Sequence, residues 1–273
     1  MTATTIAFIG TGNMSYAIIG GMVKSGFDPK HIIATNRNAE KLAKVAADFG
    51  VNTTADNLAA IAAADVVVLS VKPQMMAQLC QSIQDSGIDY QHKLFISVAA
   101  GLTVARLREM LAHPVKLVRC MPNTPSLLGK GVSGLFATDI NELERDYVSQ
   151  VFAATGIVVW LEHEAQINDI IAVTGSSPAY FFLFMETIEA KAIELGFSAE
   201  QARQLVQQTA LGAAMMACEQ QQISLAQLRA NVTSKGGTTH AAIESYKAQH
   251  LADLTSDAMD ACIARAKELE QEL

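Results

Sequence analysis

The sequence predicts an α/β protein: a mostly parallel sheet covered by helices over residues 1–162, followed by an all-helical part over residues 163–273. Three observations predict it. Short β-branched runs alternate with longer amphipathic stretches as far as Trp160, a Gly-x-Gly turn follows the first run at once, and beyond Glu162 strand-like runs stop. Such alternation marks βαβ units, and strands covered on both faces read as continuous apolar runs.

The runs fall at residues 6–9, 31–34, 66–70, 94–98, 115–119 and 157–160, with helical patterns between them such as 40–49 and 73–84. The second part reads as helices over about 165–173, 178–195, 199–220, 225–230, 239–248 and 251–273. Within it, Tyr180-Phe181-Phe182-Leu183-Phe184-Met185 is apolar on nearly every side, which a helix facing water does not tolerate. A second subunit would cover it, so at least a dimer is expected. Burial inside one subunit is the alternative.

With 273 residues, half of them hydrophobic and 17% charged, the chain has material for a large core and is expected to form two domains. Its net charge of −7, with no basic cluster, argues against a nucleic-acid partner, which is bound by neutralising phosphates. Cys80, Cys120, Cys218 and Cys262 lie far apart in no metal-ligand pattern, which points to reduced thiols in a cytoplasmic protein. The first residues, Met1 to Thr5, do not read as a signal peptide, and no stretch reaches the roughly 18 apolar residues of a membrane span.

Gly10-Thr11-Gly12-Asn13-Met14 follows the first run directly and opens a helical pattern, the context that gives a Gly-x-Gly signal its weight. Gly10 permits a sharp strand-to-helix turn. Gly12 lets the backbone approach a pyrophosphate at the helix N-terminus, where free N–H groups and the helix dipole favour an anion. Ser15 stands where the usual fingerprint has its third glycine. The first part is therefore read as a dinucleotide-binding Rossmann domain.

Where the second run ends, an NAD site usually carries a carboxylate for the ribose hydroxyl; here the chain reads Thr35-Asn36-Arg37. Hydroxyl, amide and guanidinium suit the 2′-phosphate of NADP, which a carboxylate would repel. NADP is thus expected over NAD, with a solvated Arg37 at a helix start as the alternative. Val71-Lys72-Pro73 leaves the third run towards the ligand edge, and Ala99-Ala100-Gly101 leaves the next with small residues that give a nicotinamide room. Asn57 reads either as a helix cap or as an adenosine contact. Met121-Pro122-Asn123-Thr124-Pro125 is a rigid loop suited to shaping a wall, with direct chemistry by Asn123 or Thr124 as the second possibility.

In the helical part, Gly175-Ser176-Ser177-Pro178-Ala179-Tyr180 reads as a turn with proline at a helix start. Ser234-Lys235-Gly236-Gly237-Thr238-Thr239-His240 is a glycine turn entering a helix, and its N–H groups and hydroxyls suit a carboxylate as well as they suit a plain capped helix.

Together these segments resemble pyrroline-5-carboxylate reductase, in the family's order and spacing over nearly the whole chain. The resemblance implies NADPH-dependent reduction of 1-pyrroline-5-carboxylate to L-proline, with NADH less favoured, by hydride transfer to the imine carbon. It places Gly10, Gly12, Asn13 and Met14 on the pyrophosphate, and Thr35, Asn36 and Arg37 at the adenosine phosphate. It makes Asn57, Val71, Lys72 and Pro73 cofactor contacts, and lines the nicotinamide with Ala99, Ala100 and Gly101. Ser234, Gly237, Thr238 and Thr239 match the turn that holds the substrate carboxylate, with Thr239 on the ring nitrogen, and Glu164 falls by spacing at a substrate-side acid. The family has proline and an apolar residue where this chain has Lys235 and His240. The active site is expected between one subunit's Rossmann domain and its partner's helical domain. The rivals are a β-hydroxyacid dehydrogenase, whose catalytic lysine has no counterpart after Gly175, and a non-catalytic NADP-binding regulator.

Overall fold

The computed structural model describes residues 4–273; the reading of the chain's start rests partly on Met1, Thr2 and Ala3, which lie outside the described residues. The chain forms β1 (Ile6–Ile9), α1 (Asn13–Lys24), β2 (Ile32–Thr35), α2 (Ala39–Phe49), β3 (Asn52–Thr54), α3 (Asn57–Ala63), β4 (Val66–Leu69), α4 (Met76–Asp85), β5 (Leu94–Ser97), α5 (Val104–Leu111), β6 (Lys116–Met121), β7 (Gly131–Ala137), α6 (Glu142–Ala153) and β8 (Gly156–Trp160). Helices follow: α7 (Gln166–Ile170), α8 (Ser177–Glu194), α9 (Ala199–Glu219), α10 (Leu225–Asn231), α11 (Thr238–Ala248) and α12 (Leu251–Glu272).

The strands make one eight-stranded sheet in the order β3-β2-β1-β4-β5-β6-β7-β8. Every neighbouring pair is parallel except β6 and β7. Alternate residues feed two cores. Ala7, Ile9, Val67, Leu69 and Phe95 pack under α3, α4 and α5. Ile6, Phe8, Val66, Val68 and Ile96 pack under α1, α2 and α6. Because β1 is flanked by β2 on one side and β4 on the other, the chain changes direction of winding there, and the carboxyl ends of β1 and β4 open a crevice suited to a ligand.

The strand-like runs of the sequence all form strands, with ends shifted by a residue or two. Two strands have no counterpart among them. β3 is three polar-edged residues, and β7, Gly-Val-Ser-Gly-Leu-Phe-Ala, is interrupted by glycine. Gly134 is small for a reason outside its own segment: a Cβ there would stand 2.8 Å from Ile170.

Packing separates two compact units, one reaching to Ser176 and including Cys262–Leu273, the other Ser177–Ala261. This boundary lies later than the strand-to-helix change at 162, because Ile167, Ile171 and Leu273 all join a core of the sheet. The expected turn at Gly175–Pro178 is instead a π-helical turn, Ile171–Gly175, running on into α8. Pro178 fits there because the first turn of a helix needs no N–H from it.

In the second unit α8 and α9 pack on each other, and the ring of Phe184 meets that of Tyr246 on α11 at a tilt, with centroids 6.0 Å apart. Ser198 and Gln201 form a capping box at the start of α9. Phe181, Phe182, Leu183 and Phe184 are nevertheless 45–69% exposed in the single chain, so the subunit does not bury its own apolar helix. Among the described residues, no helix is long and apolar enough to cross a membrane.

Candidate active site

The glycine turn sits at the crevice, and the residues beneath it explain its shape. Gly10 holds φ +92°, and a Cβ there would crowd Val71 at 3.0 Å. Its N–H donates to Thr35 Oγ1 at 3.1 Å, and the Thr11 N–H donates to the Thr35 carbonyl at 2.6 Å. Ser15 is fully buried below the turn, where its hydroxyl donates to Ser70 Oγ at 2.8 Å, and Ser70 in turn reaches the Gly10 carbonyl at 3.0 Å. The serine in the third glycine's place thus ties α1 to the end of β4. Gly12 differs from Gly10: a Cβ on it would meet nothing within 4 Å. The protein's own packing does not demand glycine there, whereas a pyrophosphate laid against the backbone would. No side chain caps α1, which leaves its first N–H groups, at Asn13 and Met14, available to an anion.

Around the end of β2 the three expected phosphate contacts part company. Thr35 is fully buried; its hydroxyl donates to Asn57 Oδ1 at 2.6 Å and accepts from Gly10. It shapes the turn from below and has no free donor for a phosphate, a correction to the expected contact. Asn36 donates to the Thr11 carbonyl at 2.6 Å and accepts from the Asn38 N–H, so it also braces the loop, with one amide hydrogen left over. Arg37 is exposed, with a long hydrogen bond to Met75 Sδ at 3.6 Å. Asn38 caps α2, so Arg37 is not spent on the helix start. Arg37 and Asn57 line a cleft of about 250 Å³ with Leu58, Val71 and Met75. The cap of α3 is Asp56, which accepts from Leu58 and Ala59; Asn57 is therefore no cap. A guanidinium at the mouth of a cleft, with no carboxylate at the end of β2, fits a phosphorylated adenosine.

Val71 packs on Gly10, Lys72 is exposed, and Pro73 opens a short 3-10 turn, Pro73–Met75. Ala99 and Gly101 are buried and Ala100 is half-buried. One face of Gly101, at φ +77°, is closed by Leu273.

Glu164 has a task other than the expected one. Its Oε1 accepts from the Val104 N–H at 2.7 Å and from Arg119 at 3.1 Å. It belongs to an ion cluster within the cofactor unit, which withdraws that oxygen from a substrate. Asn123 is buried, donating to the Thr174 carbonyl at 3.0 Å and accepting from Val132 at 2.9 Å. With both ends of its amide engaged, it shapes the wall and joins the proline loop to the π-helical turn. Arg119 and Glu270 were not singled out from the sequence at all.

In the second unit the turn before α11 is open. Gly236 has φ +72°, Gly237 starts the helix with no side-chain cap, and a Cβ on Gly237 would collide with Ser234 Oγ. Ser234, Lys235, Thr238 and Thr239 are exposed around it, and His240 is half-buried. The plain capped helix has no cap here. Uncapped N–H groups with two threonine hydroxyls and a serine beside them suit a carboxylate.

Comparison with known proteins agrees with this arrangement. Residues 164–269 match the family model "Pyrroline-5-carboxylate reductase dimerisation", and residues 5–101 match "NADP oxidoreductase coenzyme F420-dependent". A pyrroline-5-carboxylate reductase of Vibrio alginolyticus is 50% identical over 97% of both chains, and that of Haemophilus influenzae is 45% identical over the same shares. The solved structure of the Coxiella burnetii reductase superposes with TM-score 0.91 at 41% identity, covering 98% of this chain and 99% of that one. The Plasmodium falciparum enzyme, solved with NADP bound, gives TM-score 0.86 at 26% identity, covering 99% of each. The dimerisation model spans the apolar α8, on which Phe181, Phe182 and Phe184 are exposed in the single chain. The chain belongs to the pyrroline-5-carboxylate reductases, the NADP(H)-using oxidoreductases that catalyse the last step of proline biosynthesis.

Proposed function

We propose that this chain divides the reduction of 1-pyrroline-5-carboxylate to L-proline between its two units, the cofactor held by the first and the substrate carboxylate by the turn before α11. The observation that carries this is that uncapped turn, with Gly237 at the helix start and Ser234, Thr238 and Thr239 exposed beside it. NADPH, when bound, supplies the hydride. Gly10 and Gly12 admit the pyrophosphate, Asn13 and Met14 present main-chain N–H groups to it, and Arg37 pairs with the adenosine phosphate while Asn57, Val71, Lys72 and Pro73 line the approach. Ala99, Ala100 and Gly101 provide the wall for the reacting ring.

On the substrate side, Ser234, Gly237 and Thr238 hold the carboxylate, and the Thr239 hydroxyl accepts from the protonated ring nitrogen. An iminium takes hydride readily and water supplies its proton, so no side-chain acid of shifted pKa is required. Alignment of donor and acceptor then accounts for most of the rate gain. Glu164 is better placed as a brace than as a substrate contact. The matched dimerisation family model supports a site completed by a partner subunit. Cytoplasm is the proposed compartment, in keeping with four free cysteines, of which burial pushes the Cys80 thiol up to about 11.

Loss of NADPH absorbance on adding 1-pyrroline-5-carboxylate, compared with NADH in parallel, tests the reading. Oxidation with NADPH favoured is expected. No oxidation with either cofactor, or NADP reduction by a hydroxy acid, overturns it.

A further inference from the structure

The cofactor unit holds an ion cluster around a buried arginine that the reduction does not itself use. Arg119 projects from β6 with its side chain 1% exposed, and it meets Glu164 at 3.1 Å and Glu270 at 2.6 Å. Burying an arginine is costly unless its partners are themselves held by hydrogen bonds. Here they are. Glu164 accepts from the Val104 N–H at the start of α5, and Glu270 accepts from the Asn168 amide at 3.0 Å.

Glu270 lies near the end of α12, and what that end covers gives the cluster its meaning. A Cβ on Gly101 would stand 2.7 Å from Leu273 Cδ1 and 3.5 Å from Leu269 Cβ. Gly101, at φ +77°, is in a conformation that glycine enters and leaves at little cost, so its surroundings must fix it. From one side the Ala99 N–H donates to Ser97 Oγ at 3.3 Å. From the other the two leucines lie over Gly101, and Arg106 Nε donates to the main-chain oxygen of Leu273 at 3.1 Å.

We infer that Glu270 is a positioning residue for hydride transfer: seated on Arg119, it holds Leu269 and Leu273 against Gly101 and so fixes the Ala99-Ala100-Gly101 loop. The inference rests on the reading of that loop as the nicotinamide wall. A small displacement of the reacting ring is costly, since misplacement by about 1 Å lowers a rate roughly a hundredfold. A brace that serves stability alone would lower the melting temperature without favouring one end of the cofactor over the other.

The test uses full-length Glu270→Ala, Glu270→Gln and Leu273→Ala. Four quantities are measured: kcat, affinity for NADPH, affinity for 2′-phospho-ADP-ribose, which keeps the adenosine and pyrophosphate but lacks nicotinamide, and melting temperature. For Glu270→Ala we expect kcat down by about tenfold or more and NADPH bound several times more weakly, with 2′-phospho-ADP-ribose affinity within about twofold of wild type. Glu270→Gln should recover most of the loss. Its oxygen still accepts from Arg119, and Asn168 Oδ1, which has no partner, can turn to accept from the new amide. Leu273→Ala lies outside the ion cluster and should show a smaller loss with the same selectivity for the nicotinamide end; it decides the matter if Glu270→Ala does not fold. Equal loss of affinity for both ligands overturns the inference, as do folded variants with wild-type kcat and NADPH affinity. A wild-type protein that fails to reduce pyrroline-5-carboxylate overturns the proposed function instead, and the ratio of the two ligand affinities still reads the brace.

Discussion

Every residue of β1, β4 and β5 is buried, whereas α8, which carries the aromatic run Tyr180–Met185, buries none of its eighteen residues within the subunit. The cofactor unit closes its own core from both faces of the sheet. The helical unit leaves Phe181, Phe182 and Leu183 more than 60% exposed. An exposed apolar patch of that size marks a surface made for a partner, in keeping with the dimerisation family model that spans it. One unit covers its apolar faces within the chain, and the other presents an apolar face outward.

The largest test of this contrast is Phe182→Asp. A charge in the proposed subunit contact should dissociate the oligomer and lower activity by about a hundredfold, since a buried unpaired carboxylate costs several kcal/mol. Sedimentation together with the NADPH assay reads both, and a fully active monomer would break the comparison. Next is Thr239→Ala, which should lower turnover by about tenfold or more while leaving NADPH affinity within twofold, because it removes a contact to the reacting ring alone. Unchanged turnover removes Thr239 from the mechanism.

Two glycines sharpen the picture inside the first unit. Gly12→Ala should weaken NADPH binding about tenfold by calorimetry at an unchanged melting temperature, because its Cβ meets only open space. Gly10→Ala should destabilise the fold by about 1–3 kcal/mol in denaturant titration, because φ +92° and the contact with Val71 strain any side chain there. The smallest expected effect is that of Arg37→Ala. It should raise KM for NADPH severalfold and leave KM for NADH alone, the loss of one exposed charge-assisted contact.

The parallel strands were legible because burial on both faces makes them continuous apolar runs, and the glycine turn because a sharp strand-to-helix connection needs Gly10. β7 was not, because Gly134 is small for the sake of Ile170, a residue from another element. The site was legible by type and less so by depth. Thr35 and Arg37 stand two apart, yet one is buried beneath the turn and the other exposed beside the cleft, and periodicity on so short a loop carries no such distinction. Asn57 and Asp56 are both good caps, and only the backbone path decides that Asp56 takes the role. The bond of Glu164 to Arg119 was not legible for a related reason: Arg119 stands among Leu117, Val118 and Cys120 of β6, and Glu270 is 151 residues from it. No local pattern reports a cluster assembled over that separation.

The return of Cys262–Leu273 to the sheet unit also has a consequence for synthesis. A nascent chain released as far as Ser176 contains all eight strands, but Arg119 has one of its two carboxylates and Gly101 lacks the leucines that cover it. Domains generally fold as units while the chain emerges. This one lacks Glu270 and Leu273 until residues 177–261 have been made, so the cofactor-binding surface matures only in a chain whose helical unit has already been synthesised.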